Sequence, residues 1–338
     1  MLPNANILTT VNSYLGNCWV DQVLRDNKFF GEVLASAETF KSGVMNMPMK
    51  YQKGVASVSF NGFDQLPTSQ QPVSVNMTFY PTFVATNVAL SGTDLSVNKT
   101  QMQTIDLMKV TMASRAQDAA DDVGNYFQGN GIGKDPAGLG NIVDDGTVAS
   151  TYGGLSRATY SGLNATVTAS GGTISLLKVR QLANSISDGN IEPNFAITDY
   201  TTWAYFEQLL MPFQRNVYDT FNGAANSSSG YKGLMWDGLV IKRDRKITTG
   251  IFYLLNMDYL KFYGLKYYDG ESVSLSSKLI KGNIYEEYNQ AGANKVFTWT
   301  GFIKPYNQAA VNGFMIMGGN LINTNPWRSG KLTGITGI

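Results

Sequence analysis

One stretch, residues 100–129, reads TQMQTIDLMKVTMASRAQDAADDVGNYFQG. Its apolar residues recur every three or four positions, which is the spacing of one face of an α-helix. These residues are Met102, Ile105, Met108, Met112, Ala116, Ala119, Val123 and Phe127. Thr100 and Gln103 form a capping-box pattern at the start, and Gly129 ends the helix. About 27 residues at 1.5 Å each predict a helix of roughly 40 Å, long enough to brace an extended molecule.

Strand-like alternation precedes this helix, from Met45 to Leu90. Val58 and Phe60 alternate with serines, and residues 73–79 alternate apolar with polar side chains. Between these two runs lies the polar stretch 67–72. The pattern predicts a long β-hairpin whose irregular tip is too polar to be buried in its own subunit. Residues 1–44 show no sustained periodicity and predict an arm that needs partners to be ordered.

A second α/β region follows a loop-rich boundary at residues 128–172. A buried strand is predicted at Phe195–Thr198, and Asp199 caps the helix after it. Further strands are predicted at 238–242, at 251–255 and within 259–320. The tail after residue 320 contains Pro326 and several glycines, which favour mobility. Taken together, these elements predict a two-lobed α/β protein with an arm and a polar hairpin.

The composition excludes the common enzymes. The chain has no His and one Cys among 338 residues. It therefore has no Ser-His-Asp or Cys-His nucleophile pair and no His metal ligand. Cys18 can form neither an intrachain disulfide nor a thiolate metal site. We predict no enzymatic activity and no cofactor.

Charge is sparse and balanced. The 26 Lys+Arg oppose 25 Asp+Glu, and charged residues make up 15% of the chain, against about 25% in ordinary soluble proteins. Weak repulsion between copies favours self-association. The densest basic stretch, residues 242–246, predicts a solvated loop or rim contact rather than a phosphate patch. The apolar runs are too short for a membrane helix, and no secretory signal is present, so we expect synthesis in the cytoplasm.

Three motifs that could form a catalytic or metal-binding site do not match the patterns such sites require. Residues 128–135 lack the first Gly and the Ser or Thr of a Walker A loop. Asp121 and Asp122 are adjacent on the long helix, about 100° apart, so they cannot converge. Asp144 and Asp145 begin a turn pattern without the spacing of a calcium loop. The aromatic residues, 12% of the chain, could form stacking platforms for sugars or bases, but their alternation favours core and interface positions.

Two neighbouring segments, GLGNIVDDGT at 138–147 and YGGLSRATY at 152–160, carry a resemblance to a known family. MKYQKG at 49–54, NFAITD at 194–199 and LNMDYL at 255–260 follow the same order. From about residue 45 to 320 the chain resembles the major capsid proteins of tailed bacteriophages, which have the HK97-type fold. The fold class that the resemblance implies is α+β. The family-like signature of the axial domain comprises Gly153, Gly154, Arg157 and Tyr160.

The resemblance implies a division of the chain. Residues 1–44 would be the N-terminal arm, 45–90 the extended hairpin (E-loop) with peripheral-domain strands, and 91–130 the spine helix of the peripheral domain. Residues 131–256 would form the axial domain, 257–305 peripheral strands, 306–317 an axial-domain return, and 318–338 the peripheral end and C-terminal tail. The E-loop would contact a neighbouring subunit through Phe63, Asp64, Gln65, Leu66, Pro67 and Thr68. The buried face of the spine helix would comprise Met102, Ile105, Met108, Met112 and Val123.

The expected function is structural. Pentamers and hexamers of the chain would form an icosahedral capsid in the virion, enclosing double-stranded DNA by confinement rather than by charge. The implied partners are other copies, a portal protein, and a possible separate scaffolding protein and decoration protein, with no membrane. Two alternatives stay open. One is an encapsulin-like compartment that encloses cargo enzymes, and the other is a carbohydrate-binding or hydrolytic protein.

Overall fold

The structure is a computed structural model that describes residues 27–40, 43–54, 57–66, 71–97, 101–169, 171–210, 234–265, 271–272 and 296–338. For residues 101–106, 109 and 271–272 only the backbone is described. Cys18, Thr100, Pro67 and Thr68 lie outside the described residues, as does most of the predicted arm. The side chains of Met102 and Ile105 also lie outside that description. Among the described residues, no helix is both long and apolar enough to cross a membrane.

Runs of strands and runs of helices follow one another along the chain. The described helices are α1 (Lys28–Ala35), α2 (Gly92–Val97), α3 (Gln101–Gln128), α4 (Leu139–Ile142), α5 (Leu176–Ile186) and α6 (Tyr200–Leu210). The strands are β1 (Glu38–Thr39), β2 (Met45–Lys50), β3 (Ser74–Phe79), β4 (Thr82–Ser91), β5 (Thr151–Tyr152), β6 (Leu155–Ser156), β7 (Thr166–Thr168), β8 (Gly172–Thr173), β9 (Phe195–Thr198), β10 (Leu234–Trp236), β11 (Leu239–Arg243), β12 (Phe252–Leu255), β13 (Leu260–Gly264), β14 (Glu271–Ser272), β15 (Phe297–Trp299), β16 (Ala310–Asn323), β17 (Gly330–Leu332) and β18 (Ile335–Gly337).

The first sheet is built around β16 and supports the long helix. Its order is β1-β13-β16-β15-β14, with β4 also paired to β16. Helix α3 lies against β4, and Met112, Ala116 and Val123 share one core with Val88 of that strand. The helix predicted from the three- and four-residue spacing is thus confirmed, with 28 residues. Phe127 near its end stacks on Phe30 of α1, with 4.6 Å between ring centroids.

The second sheet separates two cores. Its order is β10-β11-β9-β12-β17-β7. Alternate residues of its central strands point to opposite sides, so Phe195 and Leu255 join the core that contains α3. Phe252 and Leu254 join a second core with α5 and α6. Strands buried on both faces in this way read as continuous apolar runs, which is how β9 and β12 appear in the sequence.

Strand β16 runs across one of the predicted domain boundaries. It pairs antiparallel with β4 from Ala310, opposite Ser91, to Gly319, opposite Thr82. The boundary predicted between 306–317 and 318–338 falls inside this strand. A Gly-Gly pair in a strand pattern favours a break, but aromatic rings cover both glycines here. A Cβ on Gly318 would lie 2.8 Å from the Phe83 ring, and one on Gly319 would lie 2.5 Å from the Phe262 ring.

The expected mobility of the C-terminal tail is wrong, because the tail forms strands. Strand β17 lies between β12 and β7 in the second sheet, and its three residues are buried. Gly330 packs closely on α5, since a Cβ there would lie 2.7 Å from Leu182 Cδ1. Glycine in this segment therefore permits close packing, which composition alone does not distinguish from mobility.

The predicted hairpin is paired only at its base. Strands β2 and β3 pair antiparallel from Met45, opposite Phe79, to Lys50, opposite Ser74. Residues 57–66, all of which the structure describes, form no strand. The expectation that Val58 and Phe60 continue the ladder is therefore wrong. Side chains there face solvent on every side, so the alternation reflects no buried face.

Candidate assembly surface and its buried support

The outer segment of the hairpin, residues 57–66, exposes apolar side chains. Phe63 is fully exposed, and Val58, Phe60 and Leu66 are each more than half exposed. The segment has a local turn, because the Asn61 backbone N–H donates to Asp64 Oδ2 at 2.8 Å. Large apolar side chains grouped on one exposed segment are typical of a surface that binds another protein. The predicted contact residues Phe63, Asp64, Gln65 and Leu66 all lie here.

The base of the hairpin has a methionine face that packs on the core. Met77 is buried, and Met45, Met47 and Met49 are partly buried against the first core. The opposite face, with Asn46 and Lys50, is exposed. Methionine adapts to irregular surfaces because it is unbranched and flexible. The hairpin therefore has an anchored base and a free outer segment.

The base rests on the tight turn that joins β5 and β6. Gly153 and Gly154 occupy this turn with φ of +56° and +75°, as a two-residue type I′ hairpin requires. The Thr78 backbone N–H donates to the Gly153 carbonyl at 2.8 Å. A Cβ on Gly153 would lie 2.9 Å from Met77 Cβ. Gly153 thus serves both the turn and the close approach of the hairpin, whereas Gly154 has open space around it.

Two aromatic pairs join the hairpin to the same segment. Tyr51 meets Tyr160 edge to face, with 5.2 Å between ring centroids. Phe79 meets Tyr152 in the same manner at 5.3 Å. Such pairs contribute roughly 0.5–1.5 kcal/mol each beyond the area they bury. The structure thereby brings the signature residues Gly153 and Tyr160 into contact with the hairpin, which lies in a separate segment of the sequence.

Arg157, the remaining signature residue, is buried beneath this turn. Its guanidinium donates to the carbonyls of Asp144 and Asn141, each at 2.6 Å, and also to that of Leu163. It lies over the Tyr152 ring, 5.1 Å from the centroid. Burial lowers the pKa of Arg157, while Asp144 raises it in part. A planar donor with several N–H groups is suited to binding a ring of carbonyls, so Arg157 organises the loop from residue 141 to 163.

Asp144 is a fully buried carboxylate in the same loop. Its Oδ2 accepts from the backbone N–H groups of Gly146, Val148 and Ala149 at 2.9–3.0 Å. Burial raises the pKa of Asp144, but these three bonds and the charge of Lys331 outweigh it, so the pKa lies below its usual value. The predicted turn is present. Its sequence did not indicate that the first Asp is buried or that its charge partner lies 187 residues further on (331 minus 144).

Tyr152 connects the turn to the end of β16. Its hydroxyl donates to the Asn323 carbonyl at 3.1 Å and accepts from the Asn323 N–H at 2.8 Å. Burial raises the pKa of Tyr152, although the bond to Asn323 and the charge of Arg157 oppose this effect. We call Asp144, Tyr152, Arg157 and Lys331 the buried polar cluster. No signal in the sequence linked Lys331 to the other three.

The spine helix packs against the first sheet. Its predicted core face contributes to this packing at the positions whose side chains the structure describes. Met112 and Val123 are buried, and Met108 is partly buried. Asp121 on the exposed face pairs with Lys246. Asp121 and Asp122 are both exposed on the helix. Within the described part of the chain, no group of three or more His, Cys, Asp or Glu side chains could hold a metal.

The basic stretch 242–246 is occupied by contacts within the subunit. Lys242 pairs with Glu32, and the Arg243 guanidinium lies over Trp203, 4.2 Å from the ring centroid. Asp244, in the turn after β11, accepts from the Phe29 N–H at 3.1 Å and so caps helix α1 from a distant part of the chain. The stretch joins α1 and α3 to the second sheet, a role that its sequence did not indicate.

No protein-family model matches the sequence, and no curated protein matches it. Solved structures do match. The capsid asymmetric unit of cyanophage A-1(L) matches over 92% of this chain and 93% of that chain, with a TM-score of 0.67 and 12% identity. The capsid of the native GTA particle matches over 90% and 91%, with a TM-score of 0.54 and 10% identity. The holo-SrpI encapsulin complex from Synechococcus elongatus matches over 88% and 84%, with a TM-score of 0.50 and 10% identity.

These similarities define the fold class. The chain has the α+β fold of these capsid chains along nearly its whole length, which confirms the HK97-type fold predicted from the sequence.

Proposed function

We propose that the protein is a structural major capsid protein whose copies assemble, as pentamers and hexamers, into an icosahedral shell around double-stranded DNA. The observation that carries the proposal is the exposed apolar outer segment of the hairpin, on a chain with the fold of phage capsid chains. A single subunit leaves these side chains in water, and a neighbouring copy would cover them. Many weak contacts of this kind add up in a closed shell.

Charge supports confinement of DNA rather than binding through phosphates. The net charge is +1, and the densest basic stretch is engaged within the subunit. Proteins that neutralise DNA normally have a basic excess. The portal, scaffolding and decoration proteins stay parts of the proposal that follow from the family resemblance alone.

Electron microscopy of the expressed chain tests the proposal. We expect closed, symmetric shells when the chain is expressed alone or together with a scaffolding protein encoded by the same phage genome. Gel filtration of the same material should show a large assembly in at least one of the two conditions. A monomer in both conditions would contradict the proposal and would favour a carbohydrate-binding or hydrolytic protein. Among the described tryptophans, Trp203, Trp236 and Trp299 are buried and only Trp327 is exposed, which gives that alternative little support.

An encapsulin-like compartment is the second candidate, supported by the match to the encapsulin complex. Particles purified from the native source separate the two. A capsid should be large and give an absorbance ratio of 260 to 280 nm typical of packaged DNA. A compartment should be smaller, free of DNA, and contain an enzyme detectable by mass spectrometry.

A further inference from the structure

Lys331 is a buried cation in the C-terminal strand β17. It lies opposite Tyr253 of β12 on one side and Val167 of β7 on the other. Its side chain is 8% exposed, and its amine lies 3.9 Å from Oδ1 of Asp144, which is fully buried. Buried ammonium groups are found where a carboxylate compensates them. The last strand of the chain therefore supplies the charge partner of Asp144.

Asp144 in turn holds the loop around it through hydrogen bonds. Its other oxygen accepts the three backbone N–H groups of residues 146, 148 and 149, and its own carbonyl accepts from Arg157. The charges that act on Lys331 are those of Asp144, Asp145 and Arg157. Asp145 is exposed, so the buried charges are those of Asp144, Arg157 and Lys331. Removing Lys331 takes away the positive charge that faces the Asp144 carboxylate from β17.

The same loop leads directly to the hairpin base. Arg157 follows β6, and the turn that joins β5 to β6 accepts the Thr78 N–H and packs on Met77. A second set of hydrogen bonds connects the turn between β5 and β6 to the residue that precedes β17. Asn323 bonds Tyr152 in this turn, and its side-chain amide donates to Ser329 Oγ at 3.0 Å. Ser329 directly precedes β17, so both routes end in residues 329–332.

We propose that residues 329–332, which we call the C-terminal clamp, hold the hairpin base in place through the buried polar cluster. The hairpin then takes its position only in a chain whose C-terminal strand has entered the second sheet. The clamp acts within one subunit, so this inference is independent of the proposed function. In a shell-forming protein it would prevent an incompletely folded chain from presenting its outer segment to a neighbour.

Limited trypsin digestion of the full chain, in the unassembled fraction from gel filtration, tests the clamp. Lys53 lies in the hairpin and is exposed, and Lys134 lies in an exposed loop outside it, so each chain contains an internal reference site. In the Lys331→Met chain we expect cleavage after Lys53 to be about tenfold faster relative to cleavage after Lys134, because proteolysis follows local opening. The matched control is Lys261→Met, which removes a half-exposed pair with Glu38 and should leave the ratio unchanged.

A double variant keeps the test decisive if Lys331→Met alone does not fold. Asp144→Asn/Lys331→Met removes both charges while the amide oxygen still accepts the loop N–H groups, so we expect the cleavage ratio to return to within about threefold of the native value. An unchanged ratio in Lys331→Met overturns the clamp. Equal acceleration at both sites also overturns it, since that result means general destabilisation. A double variant that is cleaved as fast as Lys331→Met overturns the role of the charge pair.

Discussion

Arg157 illustrates how one residue can organise a loop. It is buried, and its bonds run to main-chain carbonyls of residues that precede and follow it. A guanidinium stays charged at this depth because both of its terminal nitrogens donate to carbonyls and because Asp144 lies nearby. The sequence marks Arg157 only through the family resemblance. Its carbonyl partners have no side-chain signature, so the bonds themselves were not predictable.

Replacing Arg157 should be among the most costly single changes. We expect Arg157→Met to lower the free energy of unfolding by about 3–5 kcal/mol, because several buried carbonyls and Asp144 lose a charged donor. Urea unfolding followed by fluorescence measures this change. Arg115→Met is the matched control, since Arg115 pairs with Asp118 on the exposed face of α3 and should cost less than about 1 kcal/mol. Equal costs for the two variants would contradict the structural role of Arg157.

Asp144 should make stability depend on pH in the acid range. Its pKa in the folded chain is lowered, below the value of about 3.9 for a free side chain. The ionised carboxylate therefore stabilises the fold above that pH, and the stabilisation is lost as the pH falls through the lower folded-state pKa. We expect the free energy of unfolding of Asp144→Asn to fall less steeply than that of the native chain between about pH 5 and about pH 2. Urea unfolding measures the free energy of unfolding of both chains at each pH. Parallel curves of this free energy against pH would show that Asp144 does not contribute to the pH dependence.

At the scale of elements, helix formation follows the local pattern, but helix docking depends on distant residues. The apolar spacing of α3 was sufficient to predict its length and its buried face. Helix α1 has no side-chain cap from its own N-cap residue, Asn27. Asp244, in the turn after β11, caps it instead. No local motif reveals such a cap.

A charge on the buried face of α3 should prevent folding. Met112 is fully buried, and Met112→Asp places a carboxylate among apolar side chains at a cost of several kcal/mol. We expect no soluble folded protein, as measured by expression yield and circular dichroism. The control is Val110→Asp, two residues earlier, where the native side chain is 69% exposed and the cost should stay within about 0.5 kcal/mol. A folded Met112→Asp chain would mean that the helix packs through another face.

For the molecule as a whole, two sheets and two cores form a support from which the hairpin projects. The buried polar cluster lies where the hairpin base, the end of β16 and strand β17 meet. At the opposite end of the hairpin, residues 57–66 group four exposed large apolar side chains, whereas the others are spread over the described surface. If the outer segment is the contact that we propose, stability and association depend on different residues, and the two can be tested separately.

Polar substitutions in the outer segment should impair assembly without affecting the fold. In Phe60→Ser/Phe63→Ser we expect the free energy of unfolding to change by less than about 0.5 kcal/mol, because neither ring is buried in the subunit. The assembled fraction should fall about tenfold or more, since exposed aromatic anchors contribute much of the binding energy of an interface. Gel filtration and electron microscopy measure the assembled fraction. The control is Ile132→Ser, at an exposed apolar site outside the hairpin, which should leave assembly unchanged. Normal assembly of the hairpin variant would contradict the assignment of residues 57–66 as a contact surface.

The sequence by itself determined the long helix, the buried strands β9 and β12, the cap at Asp199 and the HK97-type fold. Each rests on local periodicity, a local cap or the order of short motifs, which neighbouring residues encode. Only the tertiary structure decided that β16 is continuous through Gly318 and Gly319, that the tail enters the second sheet, and that Lys331 neutralises Asp144. The physical reason is that ring packing over glycine, strand insertion and charge pairing join residues far apart in the chain, and none of these leaves a pattern in the local sequence.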